Sequence, residues 1–477
     1  MLRWARRAVV GSFGVLVAIW VARPFVIGDT PFVLDGTNAF LGCLSRGDLT
    51  ACDFSGKLDY WGLMSPIGDW PLLQYLPDVV TVELVGDSHQ IRTRVLELLG
   101  VGAMCASLVL AWIVLSRVGQ RSWFWGFALV LLSGPLLWYA GTTAGEALAT
   151  GLLVGVVAAA VLRVSPPLLA LAVFAACLTK ETSYPFVAAL GILGLLLARR
   201  RTSLPVRAHL VWGAAGVLAA FVFSSLFDVV RFGSVLDTNY LQPQLHTPGV
   251  ARPLEYTVAL FVSPNGGMIP FWPAASALLL AACVLPLGVR SGARLDPVPA
   301  VVLVGVIIGL TLGMAAWWDP FGTFYGPRLT LPWVLPLVLL ALVAYGDVLG
   351  HLVGRLLASW WRLVAVFVVV FVFTLPHVGK LWRPDGTNAF FQNRKPPCDA
   401  PWRGGVARFH ECQSARIWWV HLPLPAYALE GVATLGGALT GFAVGLGLFG
   451  CLVLLGDNLP SRGAAATART ASPAPSP

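Results

Sequence analysis

Charge is what this sequence has least of. Only 12% of its 477 residues are Asp, Glu, Lys or Arg, against about a quarter in a soluble globular domain. Mean hydropathy is +0.77 and 57% of residues are hydrophobic. These values exclude a water-soluble fold and imply a polytopic membrane protein. No Cys/His spacing has the pattern of a zinc site, and His89, His246, His377, His410 and His421 stand isolated. No repeat of solenoid type is present. No small-residue cleavage site follows Ile27, so the first apolar run reads as an uncleaved anchor rather than a signal peptide. The net charge of +9 is scattered in small groups between apolar runs, which argues against a nucleic-acid partner. Lysine is rare, at four residues against 28 arginines.

What the sequence does have is long apolar runs. Candidate spans lie at about Val9–Ile27, Val95–Leu115, Ser122–Ala140, Ala147–Leu162, Pro166–Leu178, Phe186–Ala198, His209–Val229, Pro270–Leu287, Val298–Ala316, Leu329–Tyr345, Leu363–Leu375 and Val432–Leu455. The fold class this implies is an all-α membrane protein with about 12 transmembrane helices (roughly 11–13), several of them short of the ~20 residues of a perpendicular span. With Arg3, Arg6 and Arg7 inside, alternate loops carry Arg117 and Arg121, Arg163, Arg199 to Arg201 with Arg207, Arg290 and Arg294, Arg355 and Arg362, and finally Arg462 and Arg469. Every inside loop is then basic, as the positive-inside rule requires. Residues 1–455 thus read as a single polytopic membrane domain with both termini in the cytoplasm of a bacterium, and 456–477 as a disordered cytoplasmic tail.

Two long outer loops break the pattern, and both are expected to carry short amphipathic helices. Residues 28–94 form an acidic loop and 377–431 a basic one; long polar loops on a membrane scaffold usually carry function. The segment Ser65–Pro77 (SPIGDWPLLQYLP) suits a short helix lying on the membrane. An oxidising outer compartment allows Cys43–Cys52 and Cys398–Cys412 pairs, or a pairing across the two loops. Cys105, Cys177, Cys283 and Cys451 fall in spans and read as small core residues. The hexapeptide DGTNAF occurs twice, at Asp35–Phe40 and Asp385–Phe390, and Asp-Gly favours a turn at each.

Charged side chains at span ends are costly unless paired or wet, so they mark a cavity. Trp317–Arg328 (WWDPFGTFYGPR) crowds aromatics, a carboxylate and a guanidinium where a span meets water. Arg328 and Tyr325 therefore read as a phosphate clamp, against the plainer alternative of an aromatic belt with a snorkelling arginine. Asp29, just after the first span, is placed to act as a general base on a substrate whose tail lies in the bilayer, and Asp35 could serve instead. Glu146 and Lys180 flank the next outer turns; Lys180 reads as a phosphate ligand or as a charge neutralised by Glu181. Arg231 and Tyr240, in RFGSVLDTNY, and Asn265, in SPNGG, complete the candidate substrate-binding set. Non-helical backbone such as Asn265–Gly267 is tolerated at membrane depth only against protein or a wet cavity.

In this order, the acidic first loop, WPLLQYLP, RFGSVLDTNY, SPNGGMIPFWP and WWDPFGTFYGPR resemble bacterial polytopic glycosyltransferases of the GT-C superfamily. That class uses polyprenyl-phosphate-linked sugars and includes protein O-mannosyltransferases and lipid A aminoarabinose transferases. The resemblance spans about residues 8–345 and is carried mostly by the RFGS-to-YGPR series. It implies a catalytic Asp at the membrane surface in the first outer loop, matching Asp29 or Asp35, and donor-phosphate contacts from Arg328 with Lys180 or Arg231. Many members have two adjacent acids where this chain has Asp29-Thr30. The function implied is transfer of a sugar from a polyprenyl-phosphate donor to a lipid, glycan or protein acceptor outside the membrane, with inversion. No cofactor is fixed, and a divalent metal is left open. The competing readings are a transporter or lipid flippase and a non-catalytic partner in envelope biogenesis. Against transport stand the long outer loops and the lack of any repeat of the spans.

Overall fold

The structure, a computed structural model, describes residues 2–23, 30–47, 72–142, 145–180, 183–199, 206–232, 235, 247–264, 266–288, 296–316, 328–382, 406–418 and 432–459. Every regular element among them is helical. In chain order these are α1 (Leu2–Ala22), α2 (Thr30–Arg46), α3 (Leu72–Val85), α4 (His89–Arg117), α5 (Phe124–Leu132), α6 (Leu136–Tyr139), α7 (Glu146–Leu162), α8 (Pro166–Thr179) and α9 (Ser183–Arg199). There follow α10 (Val206–Phe232), α11 (Ala251–Val262), α12 (Met268–Phe271), α13 (Pro273–Gly288), α14 (Val298–Ala315), α15 (Leu331–Leu357), α16 (Trp360–Trp382), α17 (Val406–Ile417) and α18 (Leu435–Asn458).

Seven of these, α1, α4, α10, α14, α15, α16 and α18, are long and apolar enough to cross a membrane. Five shorter apolar helices lie at Arg121–Leu132, Glu146–Leu162, Pro166–Thr179, Ser183–Arg199 and Pro273–Pro286. The expected runs fall on helices because backbone groups in lipid must be paired within the segment. The run Ser122–Ala140 departs from one continuous span. It divides at Ser133–Pro135 into α5 and α6, where a Cβ on Gly134 would lie 2.2 Å from the Trp272 ring.

Lipid supplies no hydrophobic drive between helices, so close approach rests on small residues. A Cβ on Gly151 of α7 would meet Ala103 of α4 at 2.7 Å, and one on Gly216 of α10 would meet the Ala170 carbonyl of α8 at 2.5 Å. On α18, Gly447 and Gly450 face Ser12 and Ala5 of α1. The bundle is pinned further by tryptophans whose buried N–H groups each find a carbonyl on another element. Trp20 donates to Leu137 O (2.9 Å), Trp123 to Gly346 O (2.7 Å) and Trp272 to Val130 O (2.7 Å). Helix α15 is the central pillar, with 83% of its most apolar stretch buried. It does not stop at Tyr345 as expected but kinks there (φ −130°, ψ 16°) and continues to Leu357. The Tyr345 hydroxyl accepts from Ala300 N (2.7 Å) and donates to Asp296 O (3.0 Å), tying the start of α14 to the kink.

Four further expectations are corrected. The first DGTNAF is not a turn; it lies inside α2. Val33, Leu34 and Thr37 form a buried stripe at helical spacing, and Phe40 packs edge-on against Phe227 at 5.7 Å, so burial outweighs the turn preference of Asp-Gly. The second copy lies outside the described residues. Of the helix expected over Ser65–Pro77, the part from Leu72 is described, and it runs on through Pro77 to Val85, with Asp78 buried; residues 65–71 lie outside the described residues. His377 and Lys380 belong to α16 rather than to the last outer loop and are fully buried. Each has a partner that permits it: His377 Nε2 lies 2.7 Å from Phe271 O, and Lys380 Nζ 5.0 Å from the Trp138 ring. The tail begins later than residue 456, since α18 continues to Asn458; residues 460–477 lie outside the described residues.

Candidate active site

Three helix ends meet at one end of the bundle. Glu146 is the first residue of α7, Lys180 caps the C-terminus of α8 in extended conformation, and Arg328 opens a short 3-10 turn that leads into α15. A carboxylate at a helix N-terminus and a cation at a C-terminus are each favoured by the helix dipole. Glu146 Oε1 accepts from Lys180 Nζ at 2.5 Å and from Arg328 Nε at 2.6 Å. Glu146 is fully buried and Arg328 is 7% exposed. Charge this deep persists only when paired. The guanidinium therefore turns into the protein, which removes the snorkelling alternative for Arg328. Lys180 pairs with Glu146, 34 positions away in sequence; Glu181 lies outside the described residues.

A second charged cluster holds α2 over this end of the bundle. Arg92 of α4 uses all five of its N–H donors. Nε and Nη2 grip Asp78 of α3 (2.8 and 2.6 Å), Nη2 also donates to Leu34 O of α2 (2.9 Å), and Nη1 donates to Asn38 Oδ1 of α2 (2.9 Å) and Asp87 Oδ1 (2.5 Å). Leu34 and Asn38 bracket Asp35, which is half-buried on α2. A Cβ on Gly100 of α4 would touch Ala147, next to Glu146, and Arg92 lies eight residues before it. At 1.5 Å per residue the Arg92 cluster is roughly 12 Å nearer the start of α4 than the Glu146 site. Nothing in the sequence reading singled out Arg92. Its signal is that of one cation among the acids of the first loop.

Of the other candidates, Arg231 lies in the last turn of α10 and its side chain is not among the described ones. Asp29, Tyr240, Asn265 and Tyr325 lie outside the described residues. The helix break expected around Asn265 is present between α11 and α12, where Gly267 N donates to Ser263 O (2.8 Å) and Ser263 Oγ to Ile417 O (2.8 Å). Cys43 of α2 and Cys412 of α17 each take part in a disulfide whose pairing lies outside the described residues, while Cys105, Cys177, Cys283 and Cys451 are free. Among the described residues no three His, Cys, Asp or Glu side chains gather closely enough to hold a metal ion.

Helix α17 docks on α11 through a buried pair missed from sequence, in which Tyr256 OH and His410 Nδ1 lie 2.9 Å apart. Burial, then the nearby Arg252 charge, hold the His410 imidazole down at about 4, against 6.5 for a free histidine. The folded state therefore resists a proton that the unfolded state binds. Its stability is unaffected above pH 6.5 and falls as pH drops from 6.5 toward 4. Amide exchange of the Val406–Ile417 peptide, corrected for intrinsic rate, is expected to quicken over that window, and His410→Phe to flatten the response.

No protein-family profile matches the chain, and no curated protein matches it in sequence. The fold is shared with a solved structure. The crystal structure of ArnT from Cupriavidus metallidurans bound to undecaprenyl phosphate superposes with a TM-score of 0.51 at 19% identity, over 93% of this chain and 77% of that one. The apo form of the same protein gives 0.47 at 16% identity, over 94% and 77%.

Proposed function

We propose that this chain is a membrane glycosyltransferase of GT-C type, which moves a sugar from a polyprenyl-phosphate donor to an acceptor outside the membrane. The observation that carries the reading is the convergence of Lys180 and Arg328 on one buried anionic oxygen at the helix ends. Its support is a fold shared with a protein crystallised with undecaprenyl phosphate. Disulfide-bonded Cys43 and Cys412, together with the basic alternate loops, favour an outer location for α2 and α17.

The chemistry needs few groups. A carboxylate of the first outer loop, Asp29 or Asp35, takes the proton of an acceptor hydroxyl. The oxygen attacks the anomeric carbon as the bond from that carbon to the phosphate oxygen breaks. The electron pair leaves with the phosphate, whose growing charge Arg328 and Lys180 stabilise. Phosphate is a good leaving group, so no general acid is required, and a single displacement inverts the anomeric centre. Tyr325, Arg231, Tyr240 and Asn265 complete the proposed lining.

Membranes carrying Asp29→Asn or Asp35→Asn, supplied with radiolabelled lipid-phosphate sugars from the native membrane, separate the two acids. The variant lacking the base is expected to lose transfer by about 10²–10⁴-fold. Full transfer by both variants would rule out this mechanism.

A further inference from the structure

Glu146 spends only one of its two oxygens. Oε1 takes both Lys180 Nζ and Arg328 Nε, while Oε2, equally buried, has no hydrogen-bond partner. A carboxylate built as a permanent strut would give an oxygen to each cation or meet the guanidinium fork with both. Here two cations from distant parts of the chain aim at a single point, as they would at one oxygen of a phosphate. The two cations also have contacts beyond Glu146, so the poorly satisfied member of the group is the carboxylate. A buried acceptor left unmatched is costly, which makes this pairing easy to exchange for a better one.

We propose that Glu146 is a placeholder anion. It fills the donor-phosphate seat while the seat is empty, and yields most of its hold on Lys180 and Arg328 to the lipid phosphate when that binds, keeping enough of their charge that its own is not left bare. Two cations left facing each other in a low-dielectric site would repel; the placeholder keeps the empty seat assembled. It also competes with the phosphate. After transfer the product is a bare lipid phosphate, more negative than the sugar-bearing donor, which the two cations would otherwise hold tightly. Glu146 re-taking its cations loosens that product and so helps to release it. The inference rests on the clamp reading of Lys180 and Arg328 given above, and goes beyond it by making Glu146 a competitor of the substrate rather than a ligand of it.

The test is equilibrium binding of undecaprenyl phosphate to the purified full-length protein in detergent, with folding checked by thermal melting. Glu146→Gln is expected to bind it about tenfold more tightly than the unaltered protein. Arg328→Ala and Lys180→Ala are each expected to bind it about tenfold more weakly. If Glu146→Gln does not fold, Glu146→Asp replaces it; the shortened side chain withdraws the shared oxygen, and binding is expected to tighten by about threefold. Unchanged or weaker binding by the Glu146 variant, with Arg328→Ala still impaired, overturns the placeholder while leaving the clamp intact. Unaltered binding by both Arg328→Ala and Lys180→Ala overturns the clamp, and the placeholder with it.

Discussion

Arg328→Ala is expected to lower sugar transfer by two to three orders of magnitude while leaving the protein folded. Removing one preorganised donor to a developing anion costs about 10²–10³ in rate, and Arg328 is held rigidly enough to count as preorganised. It is buried, opens the turn into the central pillar α15, and has its Nε fixed at 2.6 Å from Glu146. Glu146 keeps Lys180 at 2.5 Å after the change, so its charge is not left bare. Arg328→Lys should recover only part of the rate, because an ammonium cannot present the planar fork of a guanidinium. Initial rates with labelled donor and melting in detergent separate the two effects. A fall in melting temperature that accounts for the whole loss of activity would assign Arg328 to architecture alone.

Arg92→Ala is expected to produce a large loss of stability, about 3–5 kcal/mol. The substitution leaves the Asp78 carboxylate fully buried with its bidentate partner gone, and it strips the donors from Leu34 O and Asn38. Removing both charges should be far milder, since a buried pair replaced by apolar groups is often neutral. Arg92→Leu combined with Asp78→Leu is therefore expected to melt close to the unaltered protein. Transfer should nevertheless remain low in the double variant, because Leu34 and Asn38 on either side of Asp35 still lack their anchor. Stability restored together with full activity would show that the anchoring of α2 is irrelevant to the reaction.

What the sequence discloses here follows the physics of lipid. Long apolar runs become helices because a bilayer offers the backbone no other partner. Charges at their ends stand out because they are expensive, which is why Glu146, Lys180 and Arg328 could each be picked out singly. Their mutual contact could not be read, since it joins positions 34 and 182 apart in sequence. The neighbouring Glu181 offered Lys180 a partner that looked equally good. The first DGTNAF misled for a related reason. Local turn preference is visible in a hexapeptide, whereas the apolar surface of α4 and α10 that overrides it is not. Arg92 and the Tyr256–His410 pair went unseen because each is defined by what folding brings to it.

The packing of α1 against α18 bears on the order of synthesis. Helix α1 leaves the ribosome more than 400 residues before Gly447 and Gly450, which receive Ser12 and Ala5. Until then α1 has lipid where its seat should be. A ribosome that stalls after α16 therefore leaves α1 held by contacts such as Trp20 to Leu137 O, without the small-residue seat that α18 provides.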